Sequence, residues 1–164
     1  MNALHQIDHV VTGLIRLVLG ISSGVIFVVT FLAVIFRYLL KSPLPWSQDV
    51  IRLAFTYMIY FGAAYCVRDN SHLNVDVLLT MLSKRGRQKA EILINVILLG
   101  FFLFLIAYGF SFAQMGSIQT TSYLMLPMTY YYLGIPLSAL GMIFYVMQNI
   151  VGQIREMKEG GRKS

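Results

Sequence analysis

The sequence predicts an all-α integral membrane protein with four transmembrane helices and a short interfacial amphipathic helix between helices 2 and 3. Of its 164 residues, 57% are hydrophobic and only 12% are charged, whereas soluble domains carry about 25% charged residues. Long uncharged runs recur, and the basic residues cluster between them. This composition excludes a soluble enzyme, a disordered protein and a nucleic-acid binder. We expect one membrane domain over residues 1–164.

The first predicted span covers residues 17–36, which lie between Arg16 and Arg37 and contain no charge. A hydrocarbon core about 30 Å thick is crossed by about 20 helical residues, and this run has that length. The apolar part of a cleaved signal peptide is shorter. We therefore expect a helix that stays in the membrane.

The second predicted span covers residues 47–67. Its uncharged part, residues 53–67, would reach only roughly 22 Å as a helix, so the helix must begin earlier. Ser47 follows Pro45 and is a candidate N-cap. Asp49 falls in the first turn, where a carboxylate faces the positive end of the helix dipole.

The third and fourth spans are predicted at residues 92–113 and 129–151. No charged residue occurs between positions 92 and 154, and this length accommodates two crossings and a connection. The polar residues 114–128 are expected to form that connection. Three tyrosines, residues 130–132, follow it, and we expect their rings to rest at the membrane boundary.

Residues 72–83 carry polar side chains at helical spacing on one stripe, namely His72, Asp76, Thr80 and Ser83. Apolar residues cover the rest of this segment, which favours a helix lying in the membrane interface or packed on a partner. A plain cytoplasmic loop is the weaker alternative, because it would expose many apolar side chains to water. The basic cluster at 84–89 would then lie near lipid head groups.

The basic residues predict which side of the membrane each end faces. If both termini share one side, that side receives ten basic residues and the opposite side three. Basic residues accumulate on the cytoplasmic side, so both termini are expected in the cytoplasm. The three residues on the opposite side are Arg37, Lys41 and Arg52.

The predicted spans lack the groups that membrane chemistry requires. No acidic, basic or histidine residue falls near a predicted midplane, where solitary transporters bind ions or substrates. The three histidines lie outside the spans and therefore cannot be haem ligands within the bundle. The single cysteine, Cys66, excludes an intrachain disulfide. We expect no enzyme activity, no metal and no cofactor.

Small residues predict close helix packing. Gly20 and Gly24 form a GxxxG motif, and Gly134 and Ser138 repeat its spacing. The sequence leaves open whether such faces meet a partner or the chain's own helices. Four amides are expected to make hydrogen bonds between helices, namely Asn95, Gln114, Gln148 and Asn149.

The stretch from Arg37 to Asp76 resembles the small membrane subunit of tripartite ATP-independent periplasmic (TRAP) transporters, the DctQ family. Its matching segments are Arg37-Tyr38, Pro-Leu-Pro-Trp-Ser-Gln-Asp-Val-Ile-Arg at 43–52, Gly-Ala-Ala at 62–64, and Arg68-x3-His72-x3-Asp76. Many members of the family carry two acids after Trp-Ser. Here the first is Gln48, so only Asp49 can play an acidic role.

The resemblance implies an accessory subunit of a sodium-coupled importer in the bacterial inner membrane. A large multi-span subunit would bind sodium and a carboxylate-bearing solute, and a periplasmic solute-binding protein would deliver that solute. The small subunit would support the scaffold of the large one. Candidate residues for a partner or lipid interface are Arg37, Trp46, Asp49, Arg52, Gly62, Arg68, His72 and Asp76.

Two alternatives stay open from the sequence. A stand-alone small transporter, or a membrane enzyme subunit with a cofactor, would show activity or colour without a partner. Asp49 and Arg52, three residues apart, can form a local ion pair on one helix face, or either can contact the large subunit or lipid head groups. The solute class is also open between sialic acid, a C4-dicarboxylate and other organic anions.

Overall fold

The computed structural model describes residues 2–68 and 84–160, in which four long helices dominate. They are α1 (Asn2–Tyr38), α2 (Ser47–Arg68), α3 (Lys84–Met115) and α5 (Gly134–Gly160). A 3-10 turn, Gly116–Ile118, and the short helix α4, Thr129–Tyr132, lie between α3 and α5. The predicted interfacial helix at 72–83, with His72 and Asp76, lies outside the described residues.

Within the described ranges, four segments are long and apolar enough to cross a membrane, which confirms the predicted fold class. They are Gln6–Tyr38, Ser47–Arg68, Ala90–Ile118 and Thr129–Gln153. Consecutive spans run in opposite directions through the bundle. We call the end where α1 ends and α2 begins the loop end, and the end where α1 begins and α5 ends the terminal end.

The helices pack in the order α1, α2, α5, α3. Helix α1 lies against α2, α2 against α5, and α5 against α3. In the half nearer the terminal end, α1 also reaches α5, because Ile15 approaches Gly141 there. The core lies in this half and comprises Ile15, Ala64, Val67, Phe102, Met142, Tyr145 and Val146. Helix α5 is therefore the most enclosed of the four.

The fourth span differs from the expected continuous helix at 129–151, because it is interrupted at Leu133. Pro136 lies in the first turn of α5. Proline lacks an N–H group, and the first N–H groups of a helix have no partner within the helix, so proline is tolerated there. A methyl group added at Gly109 of α3 would lie 3.1 Å from Pro136 Cδ. The break thus lies where α3 and α5 pack closely.

Candidate functional site

Asp49 organises the loop end of the bundle. Helix α2 begins at Ser47, whose hydroxyl donates a hydrogen bond of 2.6 Å to the carbonyl of Leu44. This start places Asp49 in the first turn, where its side chain turns into the protein and is only 7% exposed. A buried carboxylate requires hydrogen-bond donors or an opposite charge. Asp49 finds donors in a distant segment of the chain.

Those donors are two consecutive backbone amides at the tip of the loop between α3 and α4. The N–H groups of Tyr123 and Leu124 donate to Asp49 Oδ2 at 3.1 and 3.0 Å. Hydrogen bonds from backbone amides to an ionised carboxylate are stronger than those between neutral groups. Asp49 therefore anchors the loop to α2.

The loop itself is a small antiparallel hairpin. Its two sides pair at Thr120 and Pro127, and the amide of Thr121 donates to the carbonyl of Leu126 at 2.9 Å. The hydroxyl of Thr121 accepts the amide of Leu126 at 3.1 Å. Met125 has a φ of 53°, a left-handed conformation that costs a side-chain-bearing residue roughly 1–2 kcal/mol. The hydrogen bonds of Thr121 and of Asp49 offset this cost and stabilise the tip.

Three further hydrogen bonds join α4, which follows this hairpin, to α2 and α3. The hydroxyl of Tyr131 donates to the backbone carbonyl of Asp49 at 2.8 Å. The hydroxyl of Tyr57 donates to the carbonyl of Tyr130 at 2.9 Å, and that of Thr129 donates to the carbonyl of Ala113 at 2.9 Å. Helices α2, α3 and α4 are thereby joined at one end.

The three tyrosines do not all rest at the boundary as expected. Tyr130 is 52% exposed, whereas Tyr131 is 4% exposed. The ring of Tyr132 packs edge-on against Phe112, with the ring centroids 5.3 Å apart. Tyr131 turns inward because its hydroxyl finds an acceptor in the backbone of α2, and composition alone does not indicate such a partner.

The remaining motif residues at the loop end are exposed. Arg37, Trp46 and Arg52 all present their side chains at the surface. Asp8 and Arg68 form an ion pair at 3.1 Å, whereas the described side chains of Asp49 and Arg52 do not approach within 4.0 Å of each other. Asp49 and Arg52 therefore do not form the direct local pair that their spacing allows, because the carboxylate of Asp49 is directed at the loop amides.

The terminal end is held by contacts between side chains of different helices. Arg68 donates to Asp8 Oδ2 at 3.1 Å, and Arg16 donates to the hydroxyl of Tyr65 at 3.1 Å. Arg68, a candidate for the partner or lipid interface, thus contacts α1 in this structure.

Polar bonds in the same half also join α5 to its neighbours. The hydroxyls of Thr12 and Tyr145 lie 3.0 Å apart, and the amide of Asn95 donates to Gln153 at 3.0 Å. Asn149 donates to the carbonyl of Val67 at 3.4 Å. Asn95 and Asn149 therefore make bonds of the kind expected for amides in the spans.

The small-residue pairs fall in different environments. A methyl group added at Gly134 would lie 3.1 Å from the ring of Tyr60, and Ser138 is buried with its hydroxyl on the carbonyl of Ile135. One added at Gly20 or Gly24 would meet nothing within 4 Å. The GxxxG face of α1 is therefore not used in packing among the described residues.

Gly62 faces α1, and a methyl group there would lie 3.8 Å from Leu19.

The sequence analysis missed the roles of Thr121, Tyr131 and the two tip amides in holding the loop end. Backbone amides carry no sequence signature, although a threonine in a short polar segment is compatible with a turn.

Comparison with known proteins decides the family. The model of the DctQ component of tripartite ATP-independent periplasmic transporters matches residues 26–156. The chain belongs to the DctQ family. Members of this family are permease subunits and not enzymes, which agrees with the expectation from the sequence. The matched region contains Asp49, the loop hairpin and all of α2.

Individual relatives support the same assignment. A "Putative TRAP transporter small permease protein" of Haemophilus influenzae is 30% identical over 130 residues, 76% of each chain. The sialic acid TRAP transporter small permease protein SiaQ of Vibrio cholerae is 25% identical over 70% of this chain and 66% of its own. The C4-dicarboxylate TRAP transporter small permease protein DctQ of Rhodobacter capsulatus is 33% identical over 68% of this chain and 50% of its own.

Proposed function

We propose that this DctQ-family chain is the accessory small permease subunit of a sodium-coupled secondary transporter that imports a carboxylate-bearing solute. It supports the scaffold of a large membrane subunit, and a periplasmic solute-binding protein delivers the solute. Family membership supports the accessory role. The relatives named for sialic acid and C4-dicarboxylates support a carboxylate solute, since both solutes carry that group.

The observation that carries the scaffold role is how the bundle uses its buried polar groups. Asp49 holds a loop, Tyr145 meets Thr12, and Asn95 meets Gln153. Each of these contacts joins two segments of this chain and fixes their relative position. A bundle whose buried polar side chains bind other segments of the same chain is suited to bracing a neighbour in the membrane.

The second support is the apolar surface of α1. Large side chains such as Leu17 and Val28, which lie on the same side of α1 as Gly20 and Gly24, are 57% and 52% exposed, and the two glycines leave open space beside them. Small residues let another helix approach closely in a bilayer. The part of α1 that its own bundle does not cover is therefore a suitable surface for a large partner.

Reconstitution of uptake tests this function. The large and small subunits are placed in vesicles separately and together, with the solute-binding protein and a sodium gradient supplied in each case. We expect uptake only when both membrane subunits are present. Full uptake by the large subunit without this chain, or uptake by this chain alone, would contradict the proposal.

We also propose that the terminal end faces the cytoplasm and the loop end the periplasm. The support is the distribution of ten basic residues against three. Reporters fused after Ser164 and inserted near Thr121 should lie on opposite sides of the membrane. A periplasmic signal from the fusion at Ser164 would reverse the orientation.

A further inference from the structure

A groove on the surface of the bundle runs between α1 and α2. It has a volume of about 610 Å³ and is lined almost entirely by apolar atoms. Its wall on α1 extends from Ser23 to Val34, and Phe55 and Met58 of α2 form the other side. The rings of Phe27 and Phe31 stack along this wall, with their centroids 6.4 Å apart and their planes inclined by 6°.

The dimensions of the groove match one leaflet of a bilayer. Ser23 and Val34 are eleven residues apart, which corresponds to roughly 17 Å along a helix, whereas half of the hydrocarbon core is about 15 Å. A helix of this length and about 10 Å across would occupy roughly 1,200 Å³, about twice the volume of the groove. A hydrocarbon chain, which is much thinner than a helix, fits this space better.

The contact between α1 and α2 sets the depth of Arg52 in the membrane. The hydroxyl of Ser23 lies 3.5 Å from the sulfur of Met58. Because the helices are antiparallel, moving six residues from this contact toward the loop end places Arg52 level with Val29. Phe36, the last uncharged residue of the first span, lies roughly 10 Å further out. The backbone of Arg52 is therefore level with the inner part of the predicted first span, residues 17–36, and not with its end.

A cation at this depth requires an anion or access to the head groups. Asp49 is the only acidic residue in segments 37–52 and 114–133, which form the loop end. Its carboxylate accepts two backbone amides, and it attracts Arg52 from beyond the 4.0 Å of an ion pair. Arg52 is exposed and lies one helical turn from Phe55 on the same side of α2. Its guanidinium can extend toward the loop end beside the groove.

We propose that this groove binds one phospholipid, with an acyl chain between α1 and α2 and its phosphate on Arg52. The groove supplies the apolar contact and Arg52 the charge, and basic pockets between transmembrane helices bind lipid head groups in this way. Arg37, at the end of α1, adds a second positive charge near the mouth of the groove. The site exists whichever end faces the cytoplasm.

Native mass spectrometry of the full chain with added phosphatidylglycerol tests the site. Wild type should retain one phosphatidylglycerol, and Arg52→Gln should lower the retained fraction about fivefold. Lys41→Gln is the matched control, because it removes the same charge from the same end, and it should match wild type. Equal retention in wild type and Arg52→Gln, or equal loss in Lys41→Gln, would overturn the assignment of the phosphate to Arg52.

A second pair of variants tests the position of the acyl chain. Thr30→Phe fills the groove and should lower phosphatidylglycerol retention while Arg52 is intact. Val28→Phe adds the same ring to an exposed residue of α1 that does not line the groove, and it should retain the lipid as wild type does. Equal retention in the two variants would overturn the groove as the binding site.

Crosslinking in cells decides between a lipid and a protein in the groove. A photoreactive phenylalanine at Phe31 should yield an adduct with the mass of one phospholipid, and its yield should fall in the Arg52→Gln background. An adduct with the mass of a second protein as the main product would show that a partner helix covers the groove, and would overturn the proposal. This readout does not depend on whether uptake requires the chain.

Discussion

The two ends of the bundle are held by different kinds of contact. At the loop end, side chains of α2 bind backbone groups of segments that lie more than 70 residues away, as in the bonds from Tyr123 and Leu124 to Asp49. At the terminal end, most of the described bonds join two side chains, as Arg68 binds Asp8, although Asn149 reaches the backbone carbonyl of Val67. Contacts between side chains and a distant backbone determine the path of a loop. Contacts between side chains fix the relative position of helices that would form without them.

This difference predicts where the molecule is sensitive to substitution. One carboxylate accepts the amides of Tyr123 and Leu124, so its removal takes the acceptor from both. The two members of a partly exposed ion pair can instead bind water or lipid head groups. We therefore expect larger losses at the loop end than at the terminal end. Four sets of substitutions, taken from the largest expected effect to the smallest, test this comparison.

Asp49→Ala should lower the free energy of unfolding by about 3 kcal/mol, because it removes a charged acceptor from two amides. Denaturation of the full chain in detergent measures this loss, and hydrogen exchange should show faster exchange at residues 119–128. Asp49→Asn keeps one acceptor oxygen and should lose less than half as much. An Asp49→Ala variant as stable as wild type would show that the loop is held without this carboxylate.

Gly116→Ala should cost about 1–3 kcal/mol through overpacking. The added methyl group would lie 2.7 Å from the ring of Tyr132 and 2.8 Å from the backbone nitrogen of Thr129, and the backbone cannot move aside without moving α4. Gly100→Ala is the control, since it meets nothing within 4 Å in the middle of α3. That variant should be neutral or stabilised by up to about 1 kcal/mol. Equal stabilities would contradict the close approach at Gly116.

Tyr131→Phe and Tyr145→Phe remove matched hydroxyls from the two ends. Each should cost about 1 kcal/mol, the typical value of one hydrogen bond. Their local effects should differ: Tyr131→Phe should speed hydrogen exchange in the loop hairpin, and Tyr145→Phe should do so where α1 meets α5. Similar exchange patterns in the two variants would mean that the ends are not independent.

Asp8→Asn and Arg68→Gln should have the smallest effect. Their side chains are 20% and 30% exposed, and a double-mutant cycle should give a coupling below about 1 kcal/mol. Added salt should reduce this coupling, because exposed charges are screened. A coupling as large as the loss in Asp49→Ala would remove the difference between the two ends.

The spans could be predicted from the sequence because the hydrophobicity of each span is summed over about 20 residues. The uncharged run before Arg37 and the one after Glu91 each extend over many residues, so single substitutions hardly alter the prediction. The shortness of the second run also predicted that α2 begins near Ser47 with Asp49 in its first turn.

The partners of Asp49 could not be predicted in the same way. Its spacing from Arg52 left a local ion pair and a contact with a partner or lipid open, whereas the structure shows a buried carboxylate on two loop amides. Backbone donors are present at every residue except proline, so their use depends on the tertiary fold. Tyr131 differs from expectation for the same reason, since its acceptor is a backbone carbonyl of α2.

The long separation between Asp49 and its hairpin has a consequence for biosynthesis. Synthesis proceeds at roughly 5–20 residues per second, so about 4–15 seconds pass between the appearance of Asp49 and that of Leu124. During this interval α2 is already in place with a carboxylate that lacks its final donors. The loop hairpin supplies them once α3 has been synthesised, before the residues of α5 that complete the terminal end, such as Tyr145 and Gln153.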